Sequence, residues 1–157
     1  ESSAAEYSAR RFTTDTYTTR QRISTTTIKP TIEITEEAVL NDKVSLTNTM
    51  IALQACGIRI AMDDFGTGYA SFPHLLKYPF DKIKLDRSLL LDATDEKGRE
   101  LYRIVAKLGH IANCEVVAEG VETQAEYEFV AQCGVDKVQG FYLAKPMPRQ
   151  DLSDERA

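Results

Sequence analysis

The sequence predicts an α/β fold in which about five parallel strands are covered by helices. From Thr31 onward, short apolar runs alternate with segments whose apolar residues recur at helical spacing, the pattern of repeated βαβ units. Most of the runs are too continuously apolar for a sheet with one face in water. Acidic residues fall repeatedly at the carboxyl ends of these runs, where parallel α/β proteins gather their chemistry.

Residues 1–30 stand apart from this pattern. They are small, polar and Thr-rich, with Thr13, Thr14, Thr16, Thr18, Thr19 and the run Thr25–Thr27, and bury too little apolar surface for a packed core. A loosely held arm is expected there. The candidate strands are Thr31–Ile34, Ile58–Met62, Lys82–Leu85, Glu115–Ala118 and Lys137–Gln139. Between them, a helix over Val44–Ala55 ends at Gly57, and Leu101, Ile104, Val105, Leu108 and Ile111 share one face of another, expected to cover the sheet. Thr123-Gln124-Ala125-Glu126 reads as a capping box opening a further helix, which Gly134 closes. Residues 149–157 form a polar tail.

The 157 residues suffice for one domain. With 19 Lys and Arg against 24 Asp and Glu, and a formal charge of −5 spread along the chain, no basic stripe marks a long nucleic-acid partner. An acidic protein can still act on phosphates if its carboxylates hold divalent cations, so carboxylate placement matters more than net charge. The three cysteines, Cys56, Cys114 and Cys133, are widely spaced and form no zinc motif; they suit a reducing cytoplasm. No apolar run approaches the roughly 20 residues that span a bilayer, and the polar N-terminus does not resemble a signal peptide, so a soluble chain without a membrane segment is expected.

Glu33 lies within the first candidate strand, Asp63 and Asp64 end the second, Lys84 and Asp86 end the third, Glu119 follows the fourth and Gln139 closes the fifth. All are expected to point toward one rim. Adjacent carboxylates at a buried strand end repel each other unless a cation neutralises them, and oxygen donors without a Cys or His cluster favour Mg²⁺, Mn²⁺ or Ca²⁺. The alternative is a capping Asp beside a salt-bridged one. Gly66 and Gly68 permit a tight turn, but Ser71 stands where a dinucleotide fingerprint needs its third glycine, and no Walker lysine follows. Lys84 can orient a water, bind a phosphate oxygen or pair with Asp86. His74 and His110 are isolated and receive no role.

Taken together, Glu33-Ile34-Thr35-Glu36, Asp63-Asp64-Phe65-Gly66-Thr67-Gly68-Tyr69, Lys84-Leu85-Asp86, Val117-Ala118-Glu119-Gly120-Val121-Glu122 and Gln139-Gly140-Phe141 resemble, in order, the signatures of EAL domains. The resemblance covers residues 31–148. It implies part of a TIM-like (β/α)₈ barrel and metal-dependent hydrolysis of cyclic di-GMP to linear pGpG, in bacterial signalling. It further implies that Glu33, Asp63 and Asp64 hold a pair of Mg²⁺ or Mn²⁺ ions with Asp63 as bridge, and that Asp86 belongs to the second ion's surroundings. Lys84 would hold the attacking water or a phosphate oxygen, and Glu119 would be general base or ligand. Glu36, Glu122, Gln139, Gly66 and Gly68 would support the loops.

Two expected ligands depart from the pattern. The Glu-Ala-Leu segment that names the family is absent from these residues, Glu37-Ala38-Val39 falls on the wrong side of the Glu-x-Thr-Glu signature, and no Asn precedes Asn41. The chain is therefore expected to carry the last five or so barrel strands and to have weak or no activity by itself. Its open edge would be covered by an N-terminal half or by a second copy in a homodimer. The alternative is a degenerate module that binds cyclic di-GMP or a partner protein without catalysis.

Overall fold

The computed structural model of the chain describes residues 30–35, 38–39, 45–67 and 72–146. The arm, the tail, Glu36 and Gly68 lie outside these. In chain order the elements are β1 (Thr31–Thr35), α1 (Ser45–Ala55), β2 (Arg59–Phe65), α2 (Phe72–Lys77), β3 (Lys82–Leu85), α3 (Arg87–Asp92), α4 (Glu96–Ile111), β4 (Glu115–Ala118), α5 (Gln124–Gln132) and β5 (Lys137–Val138). The five strands form one sheet in the order β1-β2-β3-β4-β5, every neighbouring pair parallel. Sequential parallel strands joined by helices are what the alternating pattern predicts.

Alternation along the strands sorts the side chains into two sets. Ile32, Ile34, Ile60, Met62, Ile83, Leu85, Val116, Ala118 and Val138 belong to the apolar core with the helices. The intervening residues include Glu33, Arg59, Asp63, Lys82, Lys84, Glu115 and Lys137, and the register brings Lys82 opposite Glu115 and Thr35 opposite Asp63. The second face is therefore charged, whereas the apolar runs alone suggest one buried on both sides. With side chains alternating at period 2, one strand can serve a dry face and a polar one.

Helix α4 corrects the sequence reading. Tyr102, Ala106 and Gly109 turn to the core, while Leu101, Ile104 and Ile111 of the expected covering face are exposed. The contact selects for size: a Cβ on Gly109 would sit 2.5 Å from Ile83 Cδ1 and 2.6 Å from Val116 Cγ2. Only a stripe of small residues lets the helix lie this close to β3 and β4, and Tyr102 fills the adjoining space, its ring 5.4 Å from that of Phe129. Helix α5 follows its sequence signal. Thr123 Oγ1 accepts from the Glu126 amide, the Glu126 carboxylate accepts from the Thr123 amide, and Gly134 has a φ of +76° just past the end.

The amino-terminal rim of the sheet is tied by a device used twice. Asp81, just before β3, donates its amide to Ile60 O (2.8 Å) and accepts the Ile60 amide on Oδ2 (2.8 Å). Asp136, just before β5, makes the same pair of bonds with Val116, at 2.9 and 2.7 Å. Between them, the Glu115 carboxylate receives Arg59 (3.0 Å), Lys82 (3.6 Å) and Lys137 (2.6 Å). Burial pushes the Glu115 pKa up, but Lys137, Lys82 and Arg59 outweigh it and hold the group below its ordinary value.

The three cysteines are free. Cys114 is buried, its thiol pushed up to about 11 chiefly by burial, which makes it a core residue and not a nucleophile at neutral pH.

Asp81→Ala would leave the Ile60 amide without its acceptor and the Gln54 side-chain amide with only one of its two, Pro79 O. Urea unfolding should show a loss of about 1–3 kcal/mol, with Asp81→Asn, which keeps one oxygen, costing less.

Candidate functional site

The opposite, carboxyl-terminal rim inverts the charge pattern around Glu115. Lys84, in β3, is buried at 9% exposure. Its ammonium contacts Glu33 Oε1 from β1 at 3.0 Å, Asp63 Oδ1 from β2 at 2.8 Å, and Glu119 Oε1 from the loop after β4 at 2.8 Å. Three residues predicted to share a rim thus meet at one atom. Burial pulls the Lys84 pKa down, but its bonds to Asp63, Glu119 and Glu33 together outweigh this and raise it, keeping the ammonium charged at any working pH. For Glu119, burial is the larger influence and lifts the carboxyl above its ordinary value against the opposing pull of Lys84.

Asp63 and Asp64 reach the rim together because β2 bulges. The β2–β3 register runs Ala61↔Lys82, Met62↔Ile83 and then Phe65↔Leu85, so both aspartates stand opposite Lys84. In a regular strand, adjacent side chains point to opposite faces; the extra residue and the left-handed backbone of Asp64, φ +55°, re-aim the second carboxylate. Its pKa is raised by burial of the carboxyl, then by the negative charges of Asp63 and Asp86, with Glu33 adding to them and Lys84 opposing. The chain next turns at Gly66, φ +105°, where a Cβ would lie 2.2 Å from Leu89 Cδ1. A residue with a side chain is excluded there both by backbone conformation and by contact.

The remaining predicted residues take surrounding positions. Asp86 caps α3 by accepting the Ser88 amide at 2.9 Å, and its pKa is held low first by the Ser88 hydroxyl and then by the Ser88 and Arg87 amides, against burial. Glu122 pairs with the Arg87 guanidinium. Gln139 is exposed, and its backbone ties the two neighbouring loops, donating to Ala118 O (2.8 Å) and accepting from the Val121 amide (3.2 Å). Arg87, Gly120 and Gly140 escape the sequence reading. A Cβ on Gly140 would lie 2.0 Å from Val121 O, so β5's exit can close on the Glu119 loop only with glycine; its place directly after Gln139 was the available signal. His110, read as isolated, contacts Asp136 at 2.9 Å.

The donor set matches a hard divalent cation in chemistry and in charge. Every donor is a carboxylate, and Asp64 and Asp86 add to the negative charge of Glu33, Asp63 and Glu119 around a single ammonium. Among the described residues, no three Asp, Glu, His or Cys side chains surround a common point suited to an ion. The point shared by Glu33, Asp63 and Glu119 holds the Lys84 ammonium itself.

A parallel sheet with acidic strand ends and a lysine among them puts a charged cluster where α/β proteins gather their chemistry, and the comparison with known proteins makes the class particular. Residues 8–146 match the sequence model of the EAL domain, and the chain belongs to that family. The matched stretch begins within the segment read as an arm. MucR of Pseudomonas aeruginosa, a bifunctional diguanylate cyclase/cyclic di-GMP phosphodiesterase, is 37% identical over 122 residues, 77% of this chain and 18% of the relative. The chain thus spans less than a fifth of that relative's length. The solved PaMucR phosphodiesterase in complex with c-di-GMP superposes with a TM-score of 0.73 at 34% identity, over 85% of this chain and 56% of that one. The Klebsiella pneumoniae BlrP1 manganese/cy-diGMP complex gives 0.67 at 32% identity, over 73% of this chain and 30% of that one. The fold is that of an EAL domain, a TIM-like barrel segment with five parallel strands among the described residues. No helix among the described residues is long and apolar enough to cross a membrane.

Lys84→Met removes the cation that Glu33, Asp63 and Glu119 share. Glu119, already lifted by burial, then loses the pull that opposed it and titrates further above its unfolded value, so the folded state holds more protons than the unfolded one there, and stability falls as pH rises through that window. Denaturant unfolding should show a loss of about 2 kcal/mol or more at pH 8 and a smaller one at pH 4.5. Asp64→Gly should act in the opposite direction on stability, raising it by about 1 kcal/mol in the same unfolding measurement through release of the left-handed strain.

Proposed function

We propose that the Lys84 rim is the hydrolytic site of a cyclic di-GMP phosphodiesterase. The observation that carries this is the convergence of Glu33, Asp63 and Glu119 on the Lys84 ammonium, at the carboxyl ends of parallel strands in a chain of the EAL family. In this reading Glu33, Asp63 and Asp64 would hold Mg²⁺ or Mn²⁺, and Asp86 would add its charge to their surroundings. Such ions make water a stronger nucleophile and neutralise charge that develops on the phosphate.

The chain's own side chains do the rest. Glu119, its pKa raised by burial, takes the proton of the attacking water. Lys84 holds that water or a non-bridging phosphate oxygen. The water oxygen bonds to phosphorus as the bond to the leaving ribose oxygen breaks, that oxygen takes up a proton from solvent, and the ring opens to linear pGpG. The turn at Gly66 lets backbone approach the substrate, and Glu122 and Gln139 brace the loops, a support that the family motif extends to Glu36 and Gly68. Free thiols suit a reducing compartment, and we place the activity in the bacterial cytoplasm. The edges at β1 and β5 are covered by further barrel strands or by a second copy.

A second reading, cyclic di-GMP binding without turnover, is favoured by one observation: the position shared by the three carboxylates is filled by an ammonium. The two readings separate in one assay of the 157-residue chain with saturating Mn²⁺. Slow, Mn²⁺-dependent formation of pGpG, lowered at least a hundredfold by Asp63→Asn, is expected. Binding of cyclic di-GMP with no product establishes the second reading, and turnover indifferent to Asp63→Asn removes the first.

A further inference from the structure

Arg87 opens α3 immediately after Asp86, and its side chain spans from the loop after β3 to the loop after β4. Its guanidinium pairs with Glu122. Its stem lies on the backbone at Gly120: a Cβ there would stand 2.7 Å from Arg87 Cβ, 2.7 Å from Cγ and 2.8 Å from Cδ. Gly120 has a φ of +67°, so the chain reverses under that stem. Glu119, the residue just before, donates its amide to Leu85 O at 3.1 Å and turns its carboxylate to Lys84.

The far side of the same loop is already fixed. Val121 is fully buried, its amide bonded to Gln139 O at 3.2 Å and its carbonyl accepting from Tyr142 at 3.0 Å. The Glu126 carboxylate takes the amides of Glu122 and Thr123 at 2.8 and 2.9 Å. What is left to set is the short reversal between Glu119 and Val121, and Arg87 is the side chain packed on it.

We propose that Arg87 is the positioning residue of Glu119, a strut whose stem closes the turn at Gly120 and whose head, held by Glu122, keeps that stem extended, so that the Glu119 carboxylate stays on the Lys84 ammonium. Arg87 acts through Gly120 and touches no reacting atom. The assignment rests on the role given to Glu119 above. Glu122 in turn anchors the strut, and its contribution passes through Arg87. An arginine suits this because its planar head is locked by the carboxylate while three methylenes make the contact.

The test reads Lys84 directly and does not need turnover. The ¹⁵N-bound protons of the Lys84 ammonium exchange slowly with water while three carboxylates hold them, and loss of one charge-assisted bond should speed exchange by roughly tenfold or more. Glu119→Gln sets the scale for a weakened contact. Arg87→Ala is expected to reach that rate, and Arg87→Lys, which keeps stem and charge, to recover most of the wild-type value. Gly120→Ala should also speed exchange, but add less in the Arg87→Ala background, where its methyl meets only the Cβ at 2.7 Å and no longer Cγ and Cδ. A well-folded Arg87→Ala with wild-type exchange at Lys84 overturns the proposal. If Arg87→Ala does not fold, Arg87→Lys with exchange as fast as Glu119→Gln does so instead. In the Mn²⁺-loaded chain, Arg87→Ala should lower kcat with KM little changed. Absence of any turnover would count against the phosphodiesterase reading and leave the exchange result to judge Arg87.

Discussion

Glu33, Asp63 and Glu119 come from different strands and loops, and they can share a rim only because the Lys84 ammonium stands between them. Coulomb energy falls as the inverse of distance, so a carboxylate–ammonium contact near 2.8 Å outweighs a carboxylate–carboxylate repulsion at roughly twice that separation. Three such contacts offset the three repulsions and part of the cost of burying the lysine. The same geometry opposes the burial that lifts the Glu119 carboxyl. Much else in the sheet serves this point: the bulge in β2 that brings up a second aspartate, the glycine turns that let loops close above it, and the helices that exclude water from one side of the strands.

The sheet's charged face carries this logic at both ends with the signs reversed. At the amino-terminal rim a carboxylate, Glu115, is surrounded by Arg59, Lys82 and Lys137; at the carboxyl-terminal rim an ammonium, Lys84, is surrounded by acids. The first cluster is fully answered: three cations face one anion, and paired aspartate bonds at Ile60 and Val116 fasten the strands beside it. The second has acids to spare, in Asp64 and Asp86. In parallel barrels the bottom rim holds the structure and the top rim does chemistry, and here the difference is legible in which rim has unanswered negative charge.

Strand positions and the placement of acids at their ends could be read from the chain because both are local patterns, as was the capping box at Thr123. What could not be read depends on distance in sequence. Whether Lys84 pairs with Asp86 or with acids on other strands is decided by register, and the sheet chose Glu33, Asp63 and Glu119 over the neighbour two residues away. The bulge was hidden for the same reason, since two aspartates in a row look alike whether or not the strand kinks. Helix α4 misled because its leucines and isoleucines outnumber its small residues, while close approach to β3 and β4 rewards smallness. One missed signal was present in plain form: Asp81-Lys82-Ile83 and Asp136-Lys137-Val138 repeat the same tripeptide pattern before two strands, and the aspartate of each proves to be a clasp.

Asp64 occupies a backbone conformation that suits glycine better, in a cluster where its charge is repelled by its neighbours. For folding alone the position is a defect, and almost any relaxing substitution would be tolerated or welcomed. A lineage that had ceased to use this rim would therefore be expected to shed Asp64 among its first changes, well before the buried Ile83 or Val116, whose loss would damage the core. An aspartate at so uncomfortable a residue makes position 64 one to compare across relatives, where its loss or retention carries information about use of the rim that core positions cannot give.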